Sequence, residues 1–228
     1  MTTASTVRID HLVVAAPTLE AGVTHVATAL DIEPGFFSPG GQHPGMGTHN
    51  CLLGLWGGVY LEVIAVDPGA PEPERKRWFA LDSKAVKARL AEGPYLSHWV
   101  ARVERPRQLT LWQRQYPERI APLVPMQRGD FSWQISVPEN GALPSWKRAG
   151  DGLLPSLIQW ERAVHPSDRL PDRGIALKRL LGFHGNVASL SKHLEWLGAS
   201  SLIALEPTLV GPSLVAEIET PSGLRTLR

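Results

Sequence analysis

Two residues in strand-like surroundings offer the plainest chemistry. Glu62 stands in the middle of the apolar run Val59-Tyr60-Leu61-Glu62-Val63-Ile64-Ala65-Val66. His11 stands within Ile9-Asp10-His11-Leu12-Val13-Val14-Ala15-Ala16. Alternation along a strand groups Tyr60, Glu62, Ile64 and Val66 on one face. A carboxylate there is either solvated at an open rim or buried with a partner, because burying it alone is costly. An imidazole and a carboxylate on neighbouring strands are a sound start for a divalent metal site. The same pattern equally suits two polar strand caps, and the residues alone leave both readings open.

The elements that must position these groups recur along the chain. Residues 7–16 read as a strand stopped by Pro17-Thr18, and Thr18 caps a helix from Leu19 to Leu30. The stretch Pro34 to Asn50 reads as a loop rich in glycine and proline that carries His43, His49 and Asn50. It is either site-forming or an ordinary connection. Strands at about 48–56 and 59–66 follow, joined by Gly57-Gly58. Residues 67–95 read as a polar bridge with a short helix from Ser83 to Ala91.

The order then repeats. Tyr95 to Val103 reads as a strand, a helix begins near Pro106, and strands are expected at 131–137 and 154–161. His11 and His98 stand at the same distance before their predicted helices, which makes the repeat the most informative feature of the sequence. A shorter third unit has strands at 175–183, 202–205 and 213–219 around a helix from Val187 to Leu197.

Composition narrows the function classes. The chain has 228 residues and a net charge of +1, with both signs mixed throughout, which argues against a dedicated nucleic-acid or membrane surface. No apolar run approaches a membrane span, and Met1 to Thr6 shows no secretory pattern, so a cytoplasmic location is expected. The single cysteine, Cys51, forbids an internal disulfide and reads as a small buried filler.

Several segments together resemble the vicinal oxygen chelate superfamily, in particular its glyoxalase-like branch. They are Asp10-His11, Tyr60-Leu61-Glu62-Val63-Ile64, Gly41-Gln42-His43-Pro44-Gly45 and Gly47-Thr48-His49-Asn50. Val124-Pro125-Met126 with Arg128, and Pro155-Ser156-Leu157-Ile158 with Trp160 and His165-Pro166, extend the likeness to about residues 8–228. The resemblance implies an α+β fold of paired βαβββ modules, at 7–67 and 95–166, with a partial third βαββ unit at 174–228. All would form one glyoxalase-like domain over 1–228.

The resemblance also implies a ligand set of His11, Glu62 and His98 for a divalent iron, manganese, nickel or zinc ion. The fourth position departs from the pattern: lining up Tyr60-Leu61-Glu62 with Ser156-Leu157-Ile158 places Ile158 opposite Glu62. A three-ligand site leaves positions open for substrate. The implied activity is that of a lyase, isomerase or dioxygenase acting on a small molecule chelated through adjacent oxygens. His49 and Glu161 are candidate bases, with His43 a further one. His43, Asn50, Arg128, Trp133 and Trp160 are candidate substrate contacts, Arg128 for an anionic or carbonyl group. A metal-free protein that sequesters a small ligand is the second reading, and a homodimeric interaction module a third.

Overall fold

The computed structural model describes residues 7–228, so the segment Met1 to Thr6 lies outside the described residues. Twelve strands and four α-helices are found among them. In chain order these begin β1 (Val7–Ala15), α1 (Leu19–Leu30), β2 (Ser38–His43), β3 (Thr48–Leu55), β4 (Val59–Val66) and α2 (Lys84–Glu92). They continue β5 (Tyr95–Val103), α3 (Leu109–Gln115), β6 (Leu123–Arg128), β7 (Phe131–Ser136) and β8 (Ser156–Trp160). The chain ends with β9 (Ala176–His184), α4 (Val187–Leu197), β10 (Ala204–Pro207), β11 (Ser213–Thr220) and β12 (Gly223–Leu227).

The first eight strands make one sheet in the order β2-β3-β4-β1-β5-β8-β7-β6. β1 and β5 run antiparallel at its centre, while β4 flanks β1 and β8 flanks β5, both in parallel. The sheet therefore consists of two βαβββ halves joined through their first strands. Its two edges, β2 and β6, approach each other, so the sheet curls into a nearly closed barrel.

Strand alternation splits the apolar residues cleanly between two cores. Leu12, Val14, Leu61, Val63, Trp99 and Ala101 face outward, under α1, α3 and the third unit. Val13, Ala15, Ile64, Val100, Ile135 and Ile158 face inward. Helix α1 lies close on its side: a Cβ on Gly22 would sit 2.3 Å from Val63 Cγ1 and 2.7 Å from Ala16 Cβ. Gly22→Ala is therefore expected to cost about 1–3 kcal/mol in urea unfolding, because overpacking outweighs the gain in helix propensity.

Two strands were hidden in sequence. β2 lies inside the stretch expected to be a loop, and β6 was not anticipated. Both are edge strands, where Pro39 and Pro125 forfeit no ladder bond that a central strand needs. The bridge between the halves is less polar than expected at its centre: Trp78, Phe79 and Leu81 are buried against the inner face of the sheet. Its short helix forms as read, with Ser83 Oγ accepting from Val86 N.

The third unit carries a final strand, β12, beyond the anticipated βαββ. Its sheet has the order β10-β9-β11-β12, with β9 parallel to β10 and antiparallel to β11. That pairing differs from the first two units, in which the first strand lies parallel to the last. The unit is fastened by a column of rings: Trp146 stacks on His193, His193 on Trp196, and Trp196 on Trp112. The Arg119 guanidinium lies over Trp146 and Trp196. Burial, followed by the Arg119 charge, lowers the His193 pKa to about 4.

Candidate active site inside the sheet

A β-bulge prepares the site. Ile9 pairs with Ala101 and His11 with Val100, so Asp10 is the extra residue on β1. The bulge suspends the period of two and re-aims a side chain, and the Asp10 carboxylate meets its own neighbour's ring. Asp10 Oδ1 accepts from His11 Nδ1 at 2.7 Å. Its Oδ2 accepts from Trp160 Nε1 at 2.9 Å and from His165 Nε2 at 3.0 Å. Burial alone would raise the Asp10 pKa, but the hydrogen bonds from His11 and His165 outweigh it and hold the carboxyl well below the usual range.

An ionised carboxylate only accepts, so Nδ1 of His11 carries the proton and Nε2 faces the site. Nε2 stands 3.5 Å from Glu62 Oε2. Tyr60, beside His11 on β4, stacks on the imidazole with ring centroids 4.5 Å apart. Burial, then the Asp10 and Glu62 charges, push the Tyr60 phenol well above its ordinary pKa.

On the far side of Glu62 a second set of contacts reaches the sheet's edges. Asn50 Nδ2 donates to Glu62 Oε1 at 2.5 Å, and Asn50 Oδ1 accepts from Gly41 N at 2.8 Å and from Arg128 at 3.1 Å. The same Arg128 nitrogen lies 3.3 Å from His43 Nε2, and His43 Nδ1 pairs with Thr48 Oγ1 at 3.1 Å. Arg128 thus ties the last edge of the sheet to the first. The glycine pair of β2 makes room for it: a Cβ on Gly40 would lie 1.9 Å from Asn50 Oδ1, and one on Gly41 would lie 2.6 Å from Arg128 Cδ. Desolvation by burial dominates at His43 and lowers its pKa to about 4.

The structure brings His11, Glu62, Asn50, His43 and Arg128 into one connected cluster. Trp160 joins the cluster through its bond to Asp10, and Trp133 lies beside it on the inner face, with ring centroids 5.2 Å apart. It does not bring His49 or Glu161 there. His49 follows Thr48 and precedes Asn50 on β3, so alternation turns it to the outward face. Glu161 is exposed just past the end of β8.

His98 shares the inner face and is fully buried, with Nδ1 3.3 Å from Ser97 Oγ and Nε2 without a hydrogen-bond partner. The Phe79 ring lies against it, with centroids 4.1 Å apart. Burial, followed by the His11 charge, drives the His98 pKa well below 6.5. Among the described residues no group of three His, Cys, Asp or Glu side chains is placed to hold a metal ion. As arranged, His11 and Glu62 supply two donors and His98 does not complete the set, so the expected three-ligand metal centre does not fit.

Register corrects the fourth position. Leu12 pairs with Trp99, which makes His11 and His98 equivalent, as well as Val13 and Val100. Val13 pairs with Glu62 and Val100 with Ser156, so Ser156, not Ile158, stands where Glu62 stands in the first half. The helix spacing behind the equivalence was less regular than expected. α3 starts at Leu109 rather than Pro106, because Gln159 Oε1 accepts from Leu109 N and Gln159 Nε2 donates to the carbonyls of Val103 and Arg107.

Sequence reasoning gave no role to Asp10, Tyr60 or His165. The adjacent Asp10-His11 pair was a visible signal, but the bulge that turns both residues to one cluster was not.

The family model described as "Glyoxalase-like domain" matches residues 9–198. The chain belongs to that family. It is thereby a member of the vicinal oxygen chelate superfamily, and its α+β sheet of paired βαβββ halves is that superfamily's fold. A solved structure of a hypothetical protein from Staphylococcus aureus is 16% identical, covers 83% of this chain and 74% of its own, and has a TM-score of 0.55. Methylmalonyl-CoA epimerase from Mycobacterium tuberculosis is 16% identical over 72% of this chain and 94% of its own, with a TM-score of 0.42. No curated protein matches the chain. Among the described residues no helix of this glyoxalase-like chain is long and apolar enough to cross a membrane.

Proposed function

We propose that this glyoxalase-like protein is a lyase or isomerase that moves a proton on a small molecule carrying adjacent oxygens. One observation supports this reading above the others: the unbroken run of polar contacts Arg128–Asn50–Glu62–His11–Asp10 across the inner face. A cleft of about 550 Å³ lined by Gly40, Gly41, Gln42, Arg128 and Phe131 opens onto its Arg128 end.

In this reading Arg128 anchors an anionic or carbonyl oxygen, since a guanidinium is a planar cluster of donors. Glu62 is the base. Asn50 fixes Oε1, which leaves Oε2 to accept the proton beside His11 Nε2. His11, oriented by Asp10, returns that proton to the product, and Tyr60, Trp133 and Trp160 keep water out of the face. The divalent metal expected from the family would need His98, which the present arrangement holds apart, so no step is assigned to it.

Turnover of a panel of 1,2-dicarbonyl and 2-hydroxycarbonyl compounds tests the assignment. Glu62→Gln is expected to lower kcat by about 10²–10⁴-fold with little change in KM. Arg128→Met is expected to raise KM by about 10–100-fold, the value of a charge-assisted hydrogen bond, with a smaller effect on kcat. Wild-type rates in Glu62→Gln would overturn the reading. The aromatic wall of Tyr60, Trp133 and Trp160 also suits a protein that only sequesters its ligand. In that case the panel would show binding with no turnover in any variant.

A further inference from the structure

Beyond Asp10, toward the start of β1 and the end of β5, two cations meet. Arg8 and Arg102 stand directly opposite each other in the β1–β5 register. Alternation turns both inward, since their neighbours Val7 and Ala101 pack in the outer core. Like charges directly opposite across a strand pair destabilise a sheet unless something compensates them. One carboxylate serves both: Glu104 Oε1 lies 3.5 Å from Arg8 Nε and 3.1 Å from Arg102 Nε. Asp10 Oδ2, already accepting from Trp160 and His165, is 3.8 Å from Arg102 Nε.

The acids thus meet the Nε edges, while the far ends of the two guanidiniums converge elsewhere. A Cβ on Gly58 would lie 3.6 Å from Arg8 Nη2 and 3.8 Å from Arg102 Nη2, so both nitrogens border one space that the glycine leaves empty. Arg8 Nη2 makes only a long bond of 3.4 Å, to Gly57 O. Among the described residues the Nη nitrogens of Arg102 make no hydrogen bond. Ser167 Oγ borders the same space, but its proton is committed: it lies 2.6 Å from His165 Nδ1, which accepts because Nε2 donates to Asp10. The space opens into a cleft of about 430 Å³ that Arg105 and Arg162 also line. Of the other acids there, Asp168 accepts from His165 N, and Glu161 is exposed.

We propose that this cleft is an oxyanion site for a phosphate group, held between the Nη ends of Arg8 and Arg102 beside Gly58. A phosphate dianion brings two negative charges and several acceptor oxygens, so it accepts from both guanidiniums at once and compensates a pair that has to share Glu104. The cleft is larger than a phosphate, which leaves room for the group that the phosphate is esterified to, with Trp160 in its wall. It shares no lining residue with the cleft at Arg128, and the inference does not depend on the proton-transfer reading.

The test is calorimetric titration of the full chain with inorganic phosphate near pH 8, with the ionic strength held constant by sodium chloride. The wild type is expected to bind with a Kd of about 1 mM or tighter. Arg102→Met is expected to weaken binding at least about tenfold and Arg8→Gln about threefold or more, each removing a charge-assisted donor. The Arg8 side chain is 51% exposed, so its variant keeps the fold and a loss there is a loss of contact. Arg128→Met is expected to retain the binding, which separates this cleft from the other guanidinium. Acetate is expected to bind at least about tenfold more weakly than phosphate, because a single negative charge does not match two cations. The proposal is overturned by no phosphate binding in the wild type, by affinity unchanged in both Arg102→Met and Arg8→Gln, by loss in Arg128→Met instead, or by acetate equalling phosphate. No readout involves turnover, so this inference and the proton-transfer reading fail separately.

Discussion

Asp10→Ala is expected to destabilise the protein by about 3–5 kcal/mol, a large fraction of the roughly 5–15 kcal/mol that holds a domain folded. The Asp10 carboxylate is fully buried and accepts from His11, His165 and Trp160. Removing it leaves three donors unsatisfied in a dry interior, and the cost is the desolvation of those groups rather than the loss of one contact. Trp160→Phe removes a single donor and should cost only about 1 kcal/mol beyond its change in packing. Urea unfolding at neutral pH separates the two, and an Asp10→Ala protein within about 1 kcal/mol of wild type would contradict the network. Asp10→Asn should fall between them, since it keeps the shape but loses the charge that sets the His11 tautomer.

Acidification from about pH 7 to pH 5 is expected to cost about 4 kcal/mol. His43 and His193 both have folded pKa values of about 4, in each case chiefly because burial disfavours the charged ring. Unfolded, each titrates near 6.5, so between those values the unfolded chain binds more protons and stability rises with pH. The contribution is complete above about 6.5 and is lost as the pH falls toward 4, amounting to about 2 kcal/mol per histidine by pH 5. His98, lowered by burial and by His11, acts in the same direction. Asp10 has the carboxylate sign: its depressed folded pKa adds stability that is present above its unfolded value of about 3.9 and is lost below it. The denaturation midpoint should therefore drop between pH 7 and 5 and again at more acid pH. His193→Gln should reduce the first drop by about 2 kcal/mol. An unchanged midpoint at pH 5 would contradict the burial of neutral rings.

Much of the fold was legible because its central strands obey simple alternation. Tyr95–Val103 and Val59–Val66 were readable to the residue, since apolar runs bounded by turn residues have few other solutions. The edge strands β2 and β6 were not, because proline and glycine at an edge look like loop, and only closure of the sheet gives Gly40 and Gly41 their purpose. The nearness of His11 to Glu62 followed from strands that each carry one polar residue on an apolar face. The nearness of Asp10 to His165 did not, because it depends on a bulge and on a contact spanning 155 residues. The burial of Trp78 and Phe79 was hidden for a related reason: they sit among charged residues, and only the three-dimensional path turns them inward.

Glu62 is proposed to take a proton from a carbon-bound position next to an oxygen. The most direct measurement of that transfer is solvent exchange: the dicarbonyl and hydroxycarbonyl panel incubated with enzyme in D₂O, with loss of the α-proton signal followed by proton NMR. Washout is expected to be catalysed by the wild type on at least one compound and slowed by about 10²-fold or more in Glu62→Gln, while Arg128→Met recovers at high substrate concentration. Washout in Glu62→Gln at the wild-type rate, or none from any compound with the wild-type protein, would contradict it.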